Sequence, residues 1–376
     1  DLKAQYAPLK CEITAAVTEV IESQWFIMGP NVAELENQVA DYCSAEHAVG
    51  CASVTDAILL ALMAIGVKPG DEVICPSYTF FATAGSIHRL GAKPVFVDID
   101  PVTYNMDPNL VREAASRCEK LKAIMPVDLF GQVADMDALL ELGRELNVPV
   151  IEDAAQAIGA EDATGARAGS KALIGCFSFF PSKNLGAFGD GGVCTTNDSQ
   201  LSELLGILRV HGSKPKYYHR IVGLNSRLDA LQAAVLKVKL KYLDAWTQGR
   251  QRNADHYSTL FHAAGAETSA VPMHENAGLP LRTPEPAPAG ARHIYNQYVI
   301  RVPAEVRDDL RNELKDKGVG TEVYYPVPLH LQECFSHLGH QKGDLPHSEE
   351  AADQTIALPI YAELIEAQRN HVAETV

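Results

Sequence analysis

The chain has 376 residues, 47% hydrophobic and 21% charged, enough apolar material for a large domain and a smaller companion. Its net charge of −16 argues against a polyanion such as DNA as the main partner, because neutralising phosphates takes a basic face. The most apolar early segment, 57–67, is far shorter than the roughly 20 residues of a membrane span, and the eight cysteines form no C-x-x-C pair, so a soluble, non-secreted protein in a reducing, cytoplasmic setting is expected.

The predicted elements begin with an arm, a helix over 11–23, a Gly29-Pro30 turn and a helix over 32–43 with apolar positions at helical spacing. A short strand over 47–51 follows. Ser53-Val54-Thr55-Asp56 reads as a cap leading into an apolar helix over 57–65 that stops at Gly66. Strands over 72–75, 94–97, 123–126 and 148–152 then alternate with helices over 79–90, 108–117 and 136–146. Such units, with continuous apolar strands, predict an α/β fold with a largely parallel sheet covered by helices on both faces. After an apolar run ending at Ser178 come a strand over 192–195, a helix over 199–211, a basic loop over 212–220 and one long helix over 229–246, completing a large domain, 1–248. The remainder, 249–376, reads as a small α/β domain. It holds a helix to about 263, a Pro-rich loop over 272–288, a strand over 295–302, a helix over 304–317, a strand over 321–325 and a His- and Pro-rich stretch over 326–346.

Ligands of such sheets collect at the carboxyl ends of the strands. That rule puts 53–56, 76–80, 127–132, 153–156 and the loop Ser178-Phe179-Phe180-Pro181-Ser182-Lys183 on one rim. Gly186, Gly189, Gly191 and Gly192 follow, so one lysine is presented among small, backbone-exposing neighbours; a solvated charge is the alternative. A lysine that forms an imine suits pyridoxal phosphate, which calls for four further groups. Asp153, ending an apolar strand, can keep the pyridine nitrogen protonated or simply cap a helix. Gln156, three residues on, can reach the ring oxygen. Phe80 can lie on the ring or fill the layer between sheet and helix. Thr55, Ser178 and the backbone N–H of Asp56 can meet the phosphate, since free amides at a helix start suit a dianion.

Three segments carry a family resemblance: Ile151-Glu152-Asp153-Ala154-Ala155-Gln156, the Ser178-to-Lys183 loop with Gly189-Asp190-Gly191-Gly192, and Gly223-Leu224-Asn225-Ser226-Arg227-Leu228-Asp229. Together they resemble the DegT/DnrJ/EryC1/StrS family of sugar-nucleotide aminotransferases, over nearly the whole chain. The resemblance implies a fold-type-I pyridoxal-phosphate-dependent transferase with a mostly parallel mixed sheet, a small C-terminal α/β domain, and a homodimer sharing its sites at the interface. It implies Lys183 as the Schiff-base lysine and proton shuttle, Asp153 as the pyridinium partner, Gln156 at the ring hydroxyl, Phe80 stacking, and Ser178, Thr55 and Asp56 at the phosphate. Asn225 is implied to reach the phosphate from the partner subunit, and Arg227, Tyr324 and His330 to serve the sugar nucleotide. Segments 126–132 and 324–330 are similar to those of enzymes aminating 3-keto or 4-keto nucleotide sugars, with glutamate as the implied amino donor. Where the family usually has glycine this chain has Val54, a β-branched residue that resists φ > 0.

Rival readings are fewer. A sugar dehydratase of the same fold has histidine where this chain has Lys183. A catalytically inactive regulatory or binding protein is the alternative of a different class, and the intact set of Lys183, Asp153, Gln156 and Ser178 argues against it. Cys334-x-x-His337-x-x-His340 has a metal-like spacing but no fourth ligand, and on a helix the three would not face one way.

Overall fold

The computed structural model describes residues 1–273 and 279–376; part of the expected Pro-rich loop, 274–278, lies outside the described residues. Helices α1 (Leu2–Tyr6), α2 (Lys10–Ser23) and α3 (Pro30–Cys43) precede β1 (His47–Cys51) and α4 (Val54–Ala64). Then follow β2 (Glu72–Pro76), α5 (Ala82–Arg89), β3 (Lys93–Val97), α6 (Pro108–Ser116), β4 (Leu121–Ile124), α7 (Met136–Leu146) and β5 (Ile151–Asp153). The large domain is completed by β6 (Ile174–Ser178), β7 (Gly192–Thr196), α8 (Ser199–Leu208), α9 (Ala230–Leu240) and the start of α10 (Leu243–Ala263).

β2 runs parallel to β3 and β4, and β5 parallel to β6. Parallel bridges Ile124↔Val150 and Val127↔Asp153 join the two sets, so the strands read β3-β2-β4-β5-β6-β7-β1. β7 is antiparallel to both of its neighbours, which makes the sheet mixed. That reversal brings the site together. β6 ends at Ser178 opposite Gly192, and Cys51, ending β1, also lies opposite Gly192, so the lysine loop leaves and returns on the rim from which α4 starts.

Apolar strands buried on both faces need helices on both. Ile58 and Leu62 of α4, Ile87 of α5 and Leu205 of α8 cover one side. Leu35 and Val39 of α3 with Ala233 and Leu236 of α9 cover the other. Each of these leucine, isoleucine and valine side chains contributes roughly 1.5–3 kcal/mol.

The small domain holds β8 (Glu267–Thr268), β9 (Arg282–Thr283), β10 (Tyr298–Arg301), α11 (Ala304–Asp316), α12 (Pro346–Gln354), β11 (Thr355–Leu358) and α13 (Glu366–Thr375). Its sheet order is β11-β10-β9-β8, and Tyr257, Phe261, Leu314, Ile356 and Val372 share one core.

Three expectations change. The helix over 229–246 is broken at Tyr242 (φ −104°, ψ −4°), after which α10 runs unbroken to Ala263, so residue 248 falls inside it. α5 starts at Ala82 rather than at 79, which frees Thr79 and Phe80 from helical geometry. The expected strand over 321–325 reduces to one bridge, Glu322↔Ala357, beyond which Tyr324 and Tyr325 turn towards the rim.

Candidate active site

The lysine loop is compact because its backbone segments nearly touch. Lys183 N–H donates to the Phe180 carbonyl at 2.9 Å and Ala187 N–H to the Phe179 carbonyl at 2.8 Å. A Cβ on Gly186 would sit 2.2 Å from the Pro181 carbonyl oxygen, and one on Gly192 would sit 2.5 Å from the Ser53 carbonyl carbon. Neither glycine has a positive φ. They are there for close approach, not for unusual dihedrals. On the far side α9 clamps the loop: Gln232 Oε1 accepts from Phe188 N–H at 2.7 Å, and the buried Lys239 Nζ donates to the Gly186 carbonyl. Burial pushes the Lys239 ammonium down to about 8, and the rings of Phe188 and Trp246 lie 5.8 and 5.9 Å from it.

Lys183 is half-buried. Loss of hydration lowers its ammonium to about 8, against the attraction of Asp153. Asp153 is buried at the end of β5, where Thr83 Oγ1 donates to Oδ2 at 2.8 Å and the Ala155 amide to Oδ1 at 3.2 Å. Burial holds this carboxyl above the usual carboxylate range, with those two hydrogen bonds and Lys183 opposing. Among the described residues no salt bridge reaches it.

Gln156 Oε1 accepts the Phe130 amide at 2.7 Å, and Nε2 donates to Tyr325 Oη at 3.1 Å. A backbone N–H can only donate, so the amide's orientation is settled and Nε2 keeps one hydrogen for another partner. Phe80 is 54% exposed, with its ring 6.0 Å from that of Tyr325, whereas Phe81 stacks on Phe335 at 5.7 Å. Phe80 thus faces the cavity while Phe81 turns away towards Phe335.

α4 begins on Ser53, whose hydroxyl accepts the Asp56 amide at 3.2 Å while its carbonyl accepts the Ala57 amide at 2.9 Å. Among the described residues the amides of Val54 and Thr55 are then the unclaimed donors of the first turn. Val54 has no positive φ and is packed in the core. Glycine's freedom is not called on there.

A cavity of about 470 Å³ joins Thr55, Phe80, Asp153, Gln156, Ser178, Lys183 and Tyr324, all expected from the sequence. Tyr325, Asn296 and Gln297 line it too, unforeseen; so were Thr83 behind Asp153 and the α9 clamp, for which the only signal was a lysine in an apolar helix.

Four expected residues stand elsewhere. The Asp56 amide is taken by its own cap. Asn225, exposed and bridged through its backbone to Val210, and Arg227, half-buried, lie outside the cavity lining. His330 is corrected from a substrate contact to a buried strut: Nδ1 meets Ser77 Oγ at 2.7 Å, Nε2 meets Glu349 Oε1 at 3.1 Å, and the residue is 1% exposed. As for the Cys334 segment, Cys334 is exposed and His337 packs 5.2 Å from His88; among the described residues no metal-holding group of three or more ligands occurs.

Comparisons with known proteins give the family of the whole chain. Residues 8–376 match the DegT/DnrJ/EryC1/StrS aminotransferase family. A "pleiotropic regulatory protein" of Geobacillus stearothermophilus is 49% identical over 100% of this chain and 96% of its own length. A UDP-N-acetyl-3-dehydro-alpha-D-glucosamine 3-aminotransferase of Acidithiobacillus ferrooxidans is 41% identical at the same coverages. The crystal structure of Streptomyces venezuelae DesV in complex with a ketimine intermediate superposes with a TM-score of 0.92, at 39% identity, covering 100% of this chain and 96% of that one. The chain therefore belongs to the DegT/DnrJ/EryC1/StrS aminotransferase family and is a pyridoxal-phosphate-dependent aminotransferase of nucleotide-linked sugars.

Proposed function

We propose that the chain moves an amino group from glutamate to a keto group at C3 of a nucleotide-linked sugar, with two copies completing each other's sites. The observation that carries the reading is the pairing, in one cavity, of a buried acid that no salt bridge reaches among the described residues and a lysine whose amine is poised near neutrality. Relatives named as 3-amino-sugar transaminases at 41% and 40% identity support C3.

The residues fit the cofactor. Asp153 is held by a hydroxyl and an amide and is short of positive charge, which a protonated pyridine nitrogen provides. The spare Nε2 hydrogen of Gln156 suits the ring oxygen, and the face of Phe80 suits the ring. Hydroxyls of Thr55 and Ser178, with the first-turn amides of α4, suit the phosphate. When bound, pyridoxal phosphate supplies the electron sink on which the amino group is carried. Lys183 holds it and, once free, gives and takes the proton between donor carbon and sugar carbon, a task for which an amine near pH 8 is matched. Exposed Trp25, Ile27, Phe180 and Phe188, together with Asn225 and Arg227 outside the cavity, support a second copy covering this rim.

The test is spectral. Glutamate should bleach the visible band of the loaded protein, and 3-keto nucleotide sugars should restore it faster than 4-keto ones. A protein whose spectrum ignores glutamate would be the non-catalytic binder instead, and preference for the 4-keto panel would overturn C3. Lys183→Ala should lose the band while the fold persists.

A further inference from the structure

One side chain reaches Asp153 from outside the cavity. Thr83, the second residue of α5, is fully buried and absent from the cavity lining, yet its hydroxyl donates to Asp153 Oδ2 at 2.8 Å. Among the described residues it is the only side chain that hydrogen-bonds this carboxylate; the other contact is the backbone amide of Ala155 on Oδ1. A helical threonine often turns its hydroxyl back to the carbonyl four residues earlier. Here the residue four earlier is Thr79, outside helical geometry, and it offers its own hydroxyl: Thr79 Oγ1 lies 3.2 Å from Thr83 Oγ1. Thr79 is buried and lines the cavity, so the row Thr79–Thr83–Asp153 leaves the cavity wall and returns to it.

The directions of these bonds follow from charge. An ionised carboxylate only accepts, so Thr83 donates to it, and the Thr83 oxygen then takes the proton of Thr79. Both hydroxyl protons point towards Asp153. Each carboxylate oxygen accepts one bond and keeps a lone pair for a donor in the cavity. A neutral acid would reverse or break the row. Burial favours that neutral acid, and the Thr83 hydroxyl is the largest influence opposing it, ahead of the Ala155 amide and Lys183. The other titratable groups that sense Asp153 are Asp128, Glu152, Cys75, Cys176 and Tyr325, and none of them brings a positive charge.

We propose that Thr83 is a positioning residue which, with Thr79 behind it, keeps Asp153 ionised and turned into the cavity. This rests on Asp153 being the pyridinium partner. A hydrogen bond to a charged group shifts an equilibrium by about 10- to 100-fold, so without the Thr83 hydroxyl the acid holds the proton of the ring nitrogen less firmly. A ring that has lost its positive charge no longer opposes positive charge at the Lys183 end. The visible band of the loaded protein then titrates at higher pH.

Thr83→Val keeps the shape of the side chain and removes the hydroxyl. In the full chain loaded with pyridoxal phosphate, the midpoint of the visible band should move up by about one pH unit, a 10-fold change. Thr83→Ser, which keeps the hydroxyl, should return it to the parent's value. Thr79→Val leaves Thr83 a weaker donor and should move the midpoint the same way by less; it carries the test if Thr83→Val does not fold. In the Asp153→Asn background Thr83→Val should add no further shift. A midpoint unmoved by Thr83→Val or by Thr79→Val, one that Thr83→Ser fails to restore, or an equal shift in the Asp153→Asn background overturns the relay. Asp153→Asn alone separates the two readings. If its titration matches the parent's, the Asp153 assignment has failed and the relay with it; if it shifts while Thr83→Val does not, only the positioning role of Thr83 is refuted.

Discussion

Replacing Lys183 should make the cofactor-free protein more stable. Folding takes the Lys183 ammonium from an ordinary 10.5 to about 8, which at 1.36 kcal/mol per pH unit costs the folded state about 3 kcal/mol. Partial contact of the side chain with solvent reduces that to about 2 kcal/mol. The attraction of Asp153 is already contained in the final value, since it opposes the burial. Below pH 8 both folded and unfolded chains are protonated and the whole cost is present. Between 8 and 10.5 the unfolded chain binds more protons than the folded one, so stability rises with pH and the cost fades. Lys183→Met removes the charge and keeps the bulk. Urea unfolding of the cofactor-free chain at pH 7 should show the variant about 2 kcal/mol more stable, and a series from pH 7 to 10.5 should show the gap closing. A variant no more stable than the parent at pH 7, or a gap that does not change with pH, would refute the claim that burial of the amine sets its proton affinity.

Asp153→Asn should leave stability within about 1 kcal/mol, because the Thr83 hydroxyl can turn to accept from the new amide and donate to Thr79 Oγ1 at 3.2 Å. The visible band of the loaded protein should persist, while turnover falls by about 10²–10³ as the fixed charge is lost. Val54→Gly, restoring the usual family residue, should destabilise by about 2–3 kcal/mol in urea, from a buried side chain and a freer unfolded backbone, with no gain in cofactor affinity by fluorescence titration. His330→Ala removes the imidazole bonds to Ser77 and Glu349, which keep only their backbone donors, and should cost about 1–3 kcal/mol; KM for the nucleotide sugar, measured below the new melting range, should not change.

Most of the rim was legible because strand ends in an α/β sheet are marked by their own chemistry. Helix α7 was read to the residue: Asp135 caps its first turn and Asn147 stops it in the left-handed conformation. The direction of β7 was not legible, since Gly-Val-Cys-Thr-Thr is as apolar as a parallel strand. What reverses it is the connection from β6, the helix-free stretch 179–191, which returns on the same rim instead of crossing back. His330 misled for a related reason. A histidine among prolines at a domain edge looks available, and only the fold shows Ser77 and Glu349 arriving from segments 253 and 19 residues away. Asn225 and Arg227 stand where one chain alone gives them no ligand to meet.

The charges at the rim have a common origin. Lys183 is pushed down and Asp153 is pushed up, each because the sheet end buries an ionisable group before its partner is present. A ligand with a protonated ring nitrogen, a carbonyl that consumes the amine and a dianion at the start of α4 relieves both directly and fills the free amides. The strain of the empty site is thus part of the selectivity of the filled one: a ligand lacking any one of these groups leaves its protein counterpart buried and unpaired. Binding to the folded chain alone raises stability with the logarithm of ligand concentration. Pyridoxal phosphate should therefore stabilise the parent more than pyridoxal and free phosphate added together, and the excess should shrink in Lys183→Met, where one of the mismatches has been removed in advance.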